Sequence, residues 1–218
     1  MKMYFVRHGE TDWNVKKKIQ GTTDIPLNEN GLKQAKRLAE RLLKRGLKVE
    51  SVYTSPHKRA SQTAEILADA LDVSCYELEG LAEMDLGDWE GSNWERIEEE
   101  YGQIYHNWNE HRRYVKTPNG ECYNEVLERT LKALQIILEK ETEDVLVVTH
   151  SAVLMSLRCY LAKLEFEEMV GRFKTKNAEL LEIDTEDIKE AISRFEQASA
   201  VQTVSQVIAS SPQSTVSR

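Results

Sequence analysis

The sequence predicts a single α/β domain on a mostly parallel central sheet, with a helical cap inserted over one end. Three observations carry this expectation. Short apolar runs alternate with amphipathic stretches of helical length, the pattern of βαβ units. The 218 residues suffice for one sizeable core and are too few for two ordinary domains. A middle segment, about residues 88–123, interrupts the alternation with a composition of its own. The domain is expected over residues 1–196, with a Ser-rich tail over 197–218.

Each element has a local reason. Lys2 to Val6 is short, apolar and rich in aromatic and branched residues, and reads as a buried strand. A turn-rich stretch follows, with Gly9, Asp12, Asn14, Gly21, Asp24 and Pro26. Asn30-Gly31 introduces a helix to Arg45, its apolar face marked by Ala35, Leu38, Ala39 and Leu42 and its end by Gly46. Val49 to Thr54 is the second strand. Ser55-Pro56 starts a helix to about Leu71, with Ala60, Ala64, Leu67 and Ala68 on one face. Val73 to Glu77 is a third short strand.

The cap segment holds Trp89, Trp94, Tyr101, Tyr105, Trp108, Tyr114 and Tyr123, together with Arg112, Arg113 and Lys116. Gly120 to Lys140 resumes an amphipathic helix, Val145 to Thr149 is the clearest buried strand, and Ser151 to Leu161 is again helical. Ala178 to Ile183 is the last strand. The segment beyond 196 has six serines and no Lys, Asp or Glu, which suits a flexible tail, a surface helix over 198–209 being the alternative.

Composition excludes several functions. With a net charge of −8, long-range attraction to nucleic acid or an anionic membrane is not expected. No stretch approaches the roughly 20 apolar residues of a membrane span, and Arg7-His8 cuts the first apolar run too early for a secretory signal. A cytoplasmic protein is expected. Cys75, Cys122 and Cys159 are spaced neither as a disulfide framework nor as zinc ligands, and read as buried apolar residues. A homodimer is compatible with the sequence and not specified by it.

The chemistry begins with two strands. One ends in Arg7-His8-Gly9, the other in Thr149-His150-Ser151. As parallel neighbours about 4.8 Å apart, they would set both imidazoles at the C-terminal sheet edge, where open α/β sheets bind ligands. Phosphoryl transfer needs positive charge around the equatorial oxygens and an in-line nucleophile, for which a neutral imidazole serves. Arginine forks suit the clamp; Arg7 and Arg59, early in the helix after the second strand, are candidates. A protonated His150 would complete the cage. A general acid is also required, and Glu10, Asp12, Glu83 and Asp85 all qualify on physical grounds.

Val6-Arg7-His8-Gly9-Glu10-Thr11 resembles the signature of the histidine phosphatase (phosphoglycerate-mutase-like) superfamily. The resemblance runs from Met3 to about Ile183. It takes in Gln20-Gly21 with Asp24, Pro26, Leu27 and Gly31, then Tyr53-Thr54-Ser55-Pro56 with Arg59-Ala60 and Gln62-Thr63-Ala64. Leu81, Glu83, Gly87 and Trp89-Glu90-Gly91 form a third motif, and Val148-Thr149-His150 a fourth. The resemblance implies a three-layer α/β/α sandwich and a metal-independent phosphomonoester hydrolase with no cofactor. It implies His8 as the phosphorylated nucleophile, Arg7, Arg59 and His150 as phosphate ligands, and Glu83 as proton donor. Asn14, Gln20 and Gly21 become substrate-binding residues for a small-molecule phosphate ester.

Departures from the common pattern are His57 in place of an apolar residue, Cys122 where serine is common, and Ser151 where glycine is common. His57 reads as an exposed helix-start residue without a role. Glu83 runs directly into Met84-Asp85-Leu86-Gly87-Asp88-Trp89, a compact form similar to the broad-specificity and α-ribazole phosphatase branch. Phosphoglycerate mutase is the alternative, and an inactive ligand-binding relative the third reading. Most of the seven rings read as packing of the cap, with Trp108 and Tyr114 singled out as pocket-lining; Arg112, Arg113 and Lys116 read as a solvated charged loop, with affinity for a second negative group as the alternative.

Overall fold

A computed structural model describes the backbone of residues 1–210 and the side chains of residues 1–200. Strand β1 (Lys2–Arg7) leads through a turn, α1 (Asp12–Val15), into α2 (Glu29–Lys44). Asn28 caps α2 by accepting the Gly31 N–H at 2.8 Å, and Gly46, at φ +67°, lets the chain turn away at its far end. β2 (Ser51–Thr54), α3 (Lys58–Leu71) and β3 (Ser74–Glu77) follow. The cap contributes α4 (Trp94–Tyr101) and α5 (Gln103–Glu110) before the long α6 (Tyr123–Lys140). The chain closes with β4 (Val145–Thr149), α7 (Ser151–Leu161), α8 (Met169–Arg172), β5 (Leu180–Asp184) and α9 (Thr185–Ser210).

The sheet order is β3-β2-β4-β1-β5, parallel except for β5, which runs antiparallel along β1. Strand alternation divides the core between two faces. Met3, Phe5, Val145 and Val147 join the α6 and α7 side chains Val126, Leu134, Leu154 and Leu157. Tyr4, Val6, Leu146 and Val148 meet Leu38, Leu42, Ala64 and Leu67 of α2 and α3. Helices therefore cover both faces, giving three layers. Every residue of β4 is buried, as a central strand of a doubly covered sheet requires. Each fully buried Leu, Val or Phe here contributes about 1.5–3 kcal/mol.

Some expectations change. Helix α3 begins at Lys58 rather than at Ser55-Pro56. The Ser55 N–H still bonds the Val148 carbonyl at 3.1 Å and its hydroxyl meets His150, so the chain stays extended there. Cys75 is exposed, because β3 is an uncovered edge strand, whereas Cys122 and Cys159 are buried. Helix α9 continues without a break across residue 197 to Ser210, and the remainder of the expected tail, 211–218, lies outside the described residues. No helix among the described residues is long and apolar enough to cross a membrane.

Candidate active site

The strand order places the ends of β1, β4 and β2 side by side, where the chain's crossovers diverge to opposite sides of the sheet. His8 extends the β1–β4 ladder, its N–H bonding the Thr149 carbonyl at 3.1 Å. The His8 and His150 rings consequently sit with centroids 5.1 Å apart, both buried. Gly9 must be small, since a Cβ there would stand 2.7 Å from the Gly31 carbonyl oxygen.

The His8 tautomer follows from its neighbour. Nδ1 lies 2.7 Å from the Gly9 carbonyl oxygen, and a carbonyl can only accept, so Nδ1 carries the proton. Nε2 keeps its lone pair. Burial, reinforced by Arg7 and Arg59, holds the His8 pKa well below 6.5, so the ring is neutral at physiological pH. Asn177 fixes the backbone behind it, its amide donating to the His8 carbonyl at 3.0 Å and to Asn14 Oδ1 at 3.2 Å.

His150 is neutral too. Burial first, then Arg59 and His8, push its pKa well below 6.5, which corrects the expectation of a protonated ring. Its Nε2 lies 2.7 Å from Ser55 Oγ, which accepts the His57 N–H at 3.3 Å. With the Ser55 hydroxyl donating to Nε2, the His150 Nδ1–H remains a buried donor without a partner. Arg7 Nε and Arg59 Nε are buried and unpaired as well. Three such donors around one nucleophilic nitrogen suit an anion, because buried polar groups are ordinarily satisfied.

Both arginines are held by carbonyls. Arg7 Nη1 donates to Thr175 O at 2.6 Å. Arg59 donates through Nη2 to Gly21 O at 2.7 Å and through Nη1 to Thr23 O at 2.9 Å. Glu90 holds that loop in turn. Its carboxylate accepts the Thr22 and Thr23 backbone N–H groups at 2.7 and 3.0 Å and both hydroxyls at 3.0 and 2.6 Å. Gly21, at φ +51°, cannot bear a side chain, since a Cβ would overlap Glu90. Gln20 is anchored through Oε1 by the Thr11 hydroxyl at 2.9 Å, and Asn14 through Oδ1 by the Thr11 N–H at 3.1 Å. Each keeps its NH2 end for the cavity it lines.

Among the four candidate acids, Glu83 alone lines the cavity with His8. Its Oε1 accepts the Met84 and Ala152 N–H groups at 3.1 and 3.2 Å. Burial raises its pKa against the opposing pull of Arg59, the Met84 N–H, Arg7 and Arg129. Glu10 instead accepts from Asn28 and Asn30 at 3.0 Å, and Asp85 from the Gly87 N–H at 2.8 Å.

The cavity encloses about 410 Å³. Arg7, His8, Asn14, Gln20, Gly21 and Glu83 form one pole, while Trp94, Tyr105, Trp108 and Tyr123 wall the other side. His150 and Arg59 adjoin this pole, the His150 ring 5.1 Å from that of His8 and the Arg59 charge acting on His8. Trp94 and Trp108 are stacked, 5.6 Å apart at 12°. Arg112 belongs to this wall rather than to a solvated loop: it is only 6% exposed, lies 5.0 Å from the Trp108 centroid and is held by Asn109. Tyr114 is 61% exposed and turned away from the cavity, Arg113 packs on Tyr160 and Phe166, and Lys116 pairs with Glu125. His57 is half-buried at the site, its ring 5.1 Å from His150 and its Nδ1 3.5 Å from Arg59 Nη2. No cluster of three or more His, Cys, Asp or Glu placed to hold a metal ion occurs among the described residues.

Ser55, Glu90, Asn177 and Arg129 hold the site together without having been expected to. Ser55 and Glu90 stand inside the motifs, where their positions were a usable signal. Asn177 precedes a strand in a loop without pattern, and nothing in the sequence marks it.

Comparison with known proteins agrees with this geometry. The model of the histidine phosphatase superfamily (branch 1) matches residues 3–198. Phosphoglycerate mutase-like protein 4 of Arabidopsis thaliana is 40% identical over 159 residues, 70% of this chain and 67% of that protein. Phosphoserine phosphatase 1 of Hydrogenobacter thermophilus is 31% identical over 196 residues, 89% of this chain and 92% of that protein. Among solved structures, YhfR of Bacillus stearothermophilus superposes with a TM-score of 0.75 at 34% identity, covering 84% of this chain and 90% of that one. The chain is a phosphomonoester hydrolase by this kinship, and it belongs to branch 1 of the histidine phosphatase superfamily.

Proposed function

We propose that His8 Nε2 attacks the phosphorus of a small phosphate monoester in line with the departing alcohol oxygen. The P–O bond breaks as the P–N bond forms, and protonated Glu83 gives its proton to the leaving oxygen. Water then attacks the phosphohistidine, Glu83 takes a proton from it, and inorganic phosphate leaves with His8 restored. Arg7, Arg59 and the His150 Nδ1–H bind the equatorial oxygens, and Asn14 and Gln20 add amide donors beside them. The observation that carries this reading is the His8 tautomer: Nδ1 is committed to the Gly9 carbonyl, which leaves Nε2 as the free lone pair. The two guanidinium groups supply the positive charge that a metal ion provides in other phosphatases, so the reaction is metal-independent.

The alcohol half lies against the aromatic wall and ends near Arg112, a buried cation with no carboxylate partner among the described residues. We therefore assign the preferred ester a carboxylate on its alcohol. Two relatives whose names state a substrate fit that class, a metal-independent phosphoserine phosphatase of Arabidopsis thaliana and a mycobacterial glucosyl-3-phosphoglycerate phosphatase, whereas the fructose-2,6-bisphosphatase of Rattus norvegicus does not. The exposed free thiol of Cys75 supports a reducing compartment, the cytoplasm.

The test is phosphate release in EDTA from phosphoserine, 3-phosphoglycerate, α-ribazole phosphate and p-nitrophenyl phosphate, with His8→Ala in parallel. Release that survives EDTA and disappears in the variant is expected, with a carboxylate-bearing ester the best substrate. Conversion of 3- to 2-phosphoglycerate that depends on 2,3-bisphosphoglycerate and releases no phosphate would establish a mutase instead.

A further inference from the structure

The carboxyl of Glu83 is carried by an irregular segment, residues 78–86, that belongs to no strand and to no α-helix. A general acid must nonetheless be held to within a fraction of an ångström of the leaving oxygen, since a 1 Å misplacement costs on the order of 100-fold in rate. Its own side chain is anchored by only two backbone N–H groups. The rigidity has to come from the backbone.

Arg129 of α6 supplies it. Its Nη1 donates to the Gly80 carbonyl at 3.1 Å and to the Ala82 carbonyl at 2.6 Å, and its Nη2 to the carbonyl of Glu83 itself at 3.0 Å. The same guanidinium is gripped from the other side by Glu121, Nε to Oε1 at 2.9 Å and Nη2 to Oε2 at 3.0 Å. Glu121 then closes the circuit on the far flank of Glu83. Its Oε2 accepts the Asp85 N–H at 2.9 Å, and its own N–H donates to the Asp85 carbonyl at 2.9 Å. Segment 80–85 is therefore tied on both sides of Glu83 to one ion pair, whose partners are about three-quarters buried. Small residues make the approach possible, since a Cβ at Gly80 would stand 2.5 Å from the Arg129 carbonyl oxygen.

We propose that the Arg129–Glu121 pair is the positioning device of the proton donor, acting on the reaction through Glu83. The side-chain hydrogen bonds of Arg129 and Glu121 go to this segment and to each other, so the pair acts through the backbone around Glu83. Only a planar fork reaches three carbonyls and a carboxylate at once. Lysine keeps the charge but not that geometry. The inference rests on Glu83 being the acid, and its test separates the two claims.

The discriminating readout is the dependence of kcat/KM on the leaving group. An alkyl alcohol needs its proton in the transition state, whereas p-nitrophenolate departs without one. We expect Arg129→Lys to lower kcat/KM for phosphoserine by about 10- to 100-fold and for p-nitrophenyl phosphate by less than about 3-fold. Glu121→Gln, which loosens the grip without removing the guanidinium, is expected to show the same selectivity on a smaller scale, about 3- to 10-fold. It carries the test should Arg129→Lys fail to fold. Equal losses on both esters, or no loss on either, would overturn the proposal. Glu83→Gln is the control. If it shows no selective loss on the alkyl ester, the assignment of Glu83 as acid falls; if it does while both clamp variants do not, the clamp alone falls.

Discussion

The two ends of the cavity are built differently. At the phosphate pole, His8, His150 and Arg7 stand at the ends of central parallel strands or beside them, each fixed by a hydrogen bond to a carbonyl or to Ser55 and each keeping one polar atom free. At the opposite wall, short helices α4 and α5 supply the rings of Trp94, Tyr105 and Trp108, which touch one another and pack on the buried Trp89 behind them. Hydrogen bonds fix atoms to tenths of an ångström and tolerate few substitutes. Ring clusters fill volume and tolerate many. The first construction suits a reaction common to all phosphate esters, and the second suits a choice among alcohols.

That contrast makes graded predictions. Arg7→Met removes a charge from the pole and is expected to lower kcat/KM by about 100- to 1000-fold on every ester, p-nitrophenyl phosphate included. Arg112→Leu removes a charge from the wall. It should cost about 10- to 100-fold on carboxylate-bearing esters, the worth of one charge-assisted hydrogen bond, and leave p-nitrophenyl phosphate within about 2-fold. Uniform loss in that variant would erase the distinction between pole and wall. Trp94→Ala, which strips the outer ring of the Trp94–Trp108 stack, is expected to raise KM by about 2- to 10-fold with kcat unchanged.

The two poles also differ in what the sequence disclosed. His8 and His150 were legible because a buried strand is the strongest local signal and both lie one residue beyond such a strand. Arg59 and Glu83 were legible as members of motifs. His57 and Arg112 were misjudged for one reason. A charged or titratable residue in a polar stretch reads as solvated, and only packing from distant elements, here the His150 ring and the Trp108 ring, buries it. Tyr114 failed conversely, an aromatic that reads as buried and is exposed. The start of α3 was placed early because Ser-Pro is a good helix opening locally, while the Ser55 hydroxyl is engaged by His150, 95 residues away.

The smallest expected effect concerns stability and pH. Burial, aided by Arg59, lowers the His57 pKa to about 4, below the ordinary 6.5. The fold favours the neutral ring, so this contribution is fully present above about pH 6.5 and is lost as pH falls toward 4. His8 and His150 act in the same sense. Glu83 acts oppositely: its pKa is raised, so its contribution is present below the ordinary 4.5 and is lost as pH rises through the folded value. Thermal melts should therefore show His57→Gln with a shallower decline below pH 6.5, and Glu83→Gln with a higher Tm than the parent at pH 7. A parallel decline in the first, or a lower Tm in the second, would contradict the environments assigned to these groups.

The central claim is that the phosphoryl group passes through His8. Quenching the enzyme with ³²P-labelled phosphoserine in the millisecond range, in the presence of EDTA, tests it directly. The expected result is protein-bound label that is stable to base, labile to acid, located in the peptide containing His8 and missing from His8→Ala. Turnover without bound label at any quench time, or label that persists in His8→Ala, would contradict it.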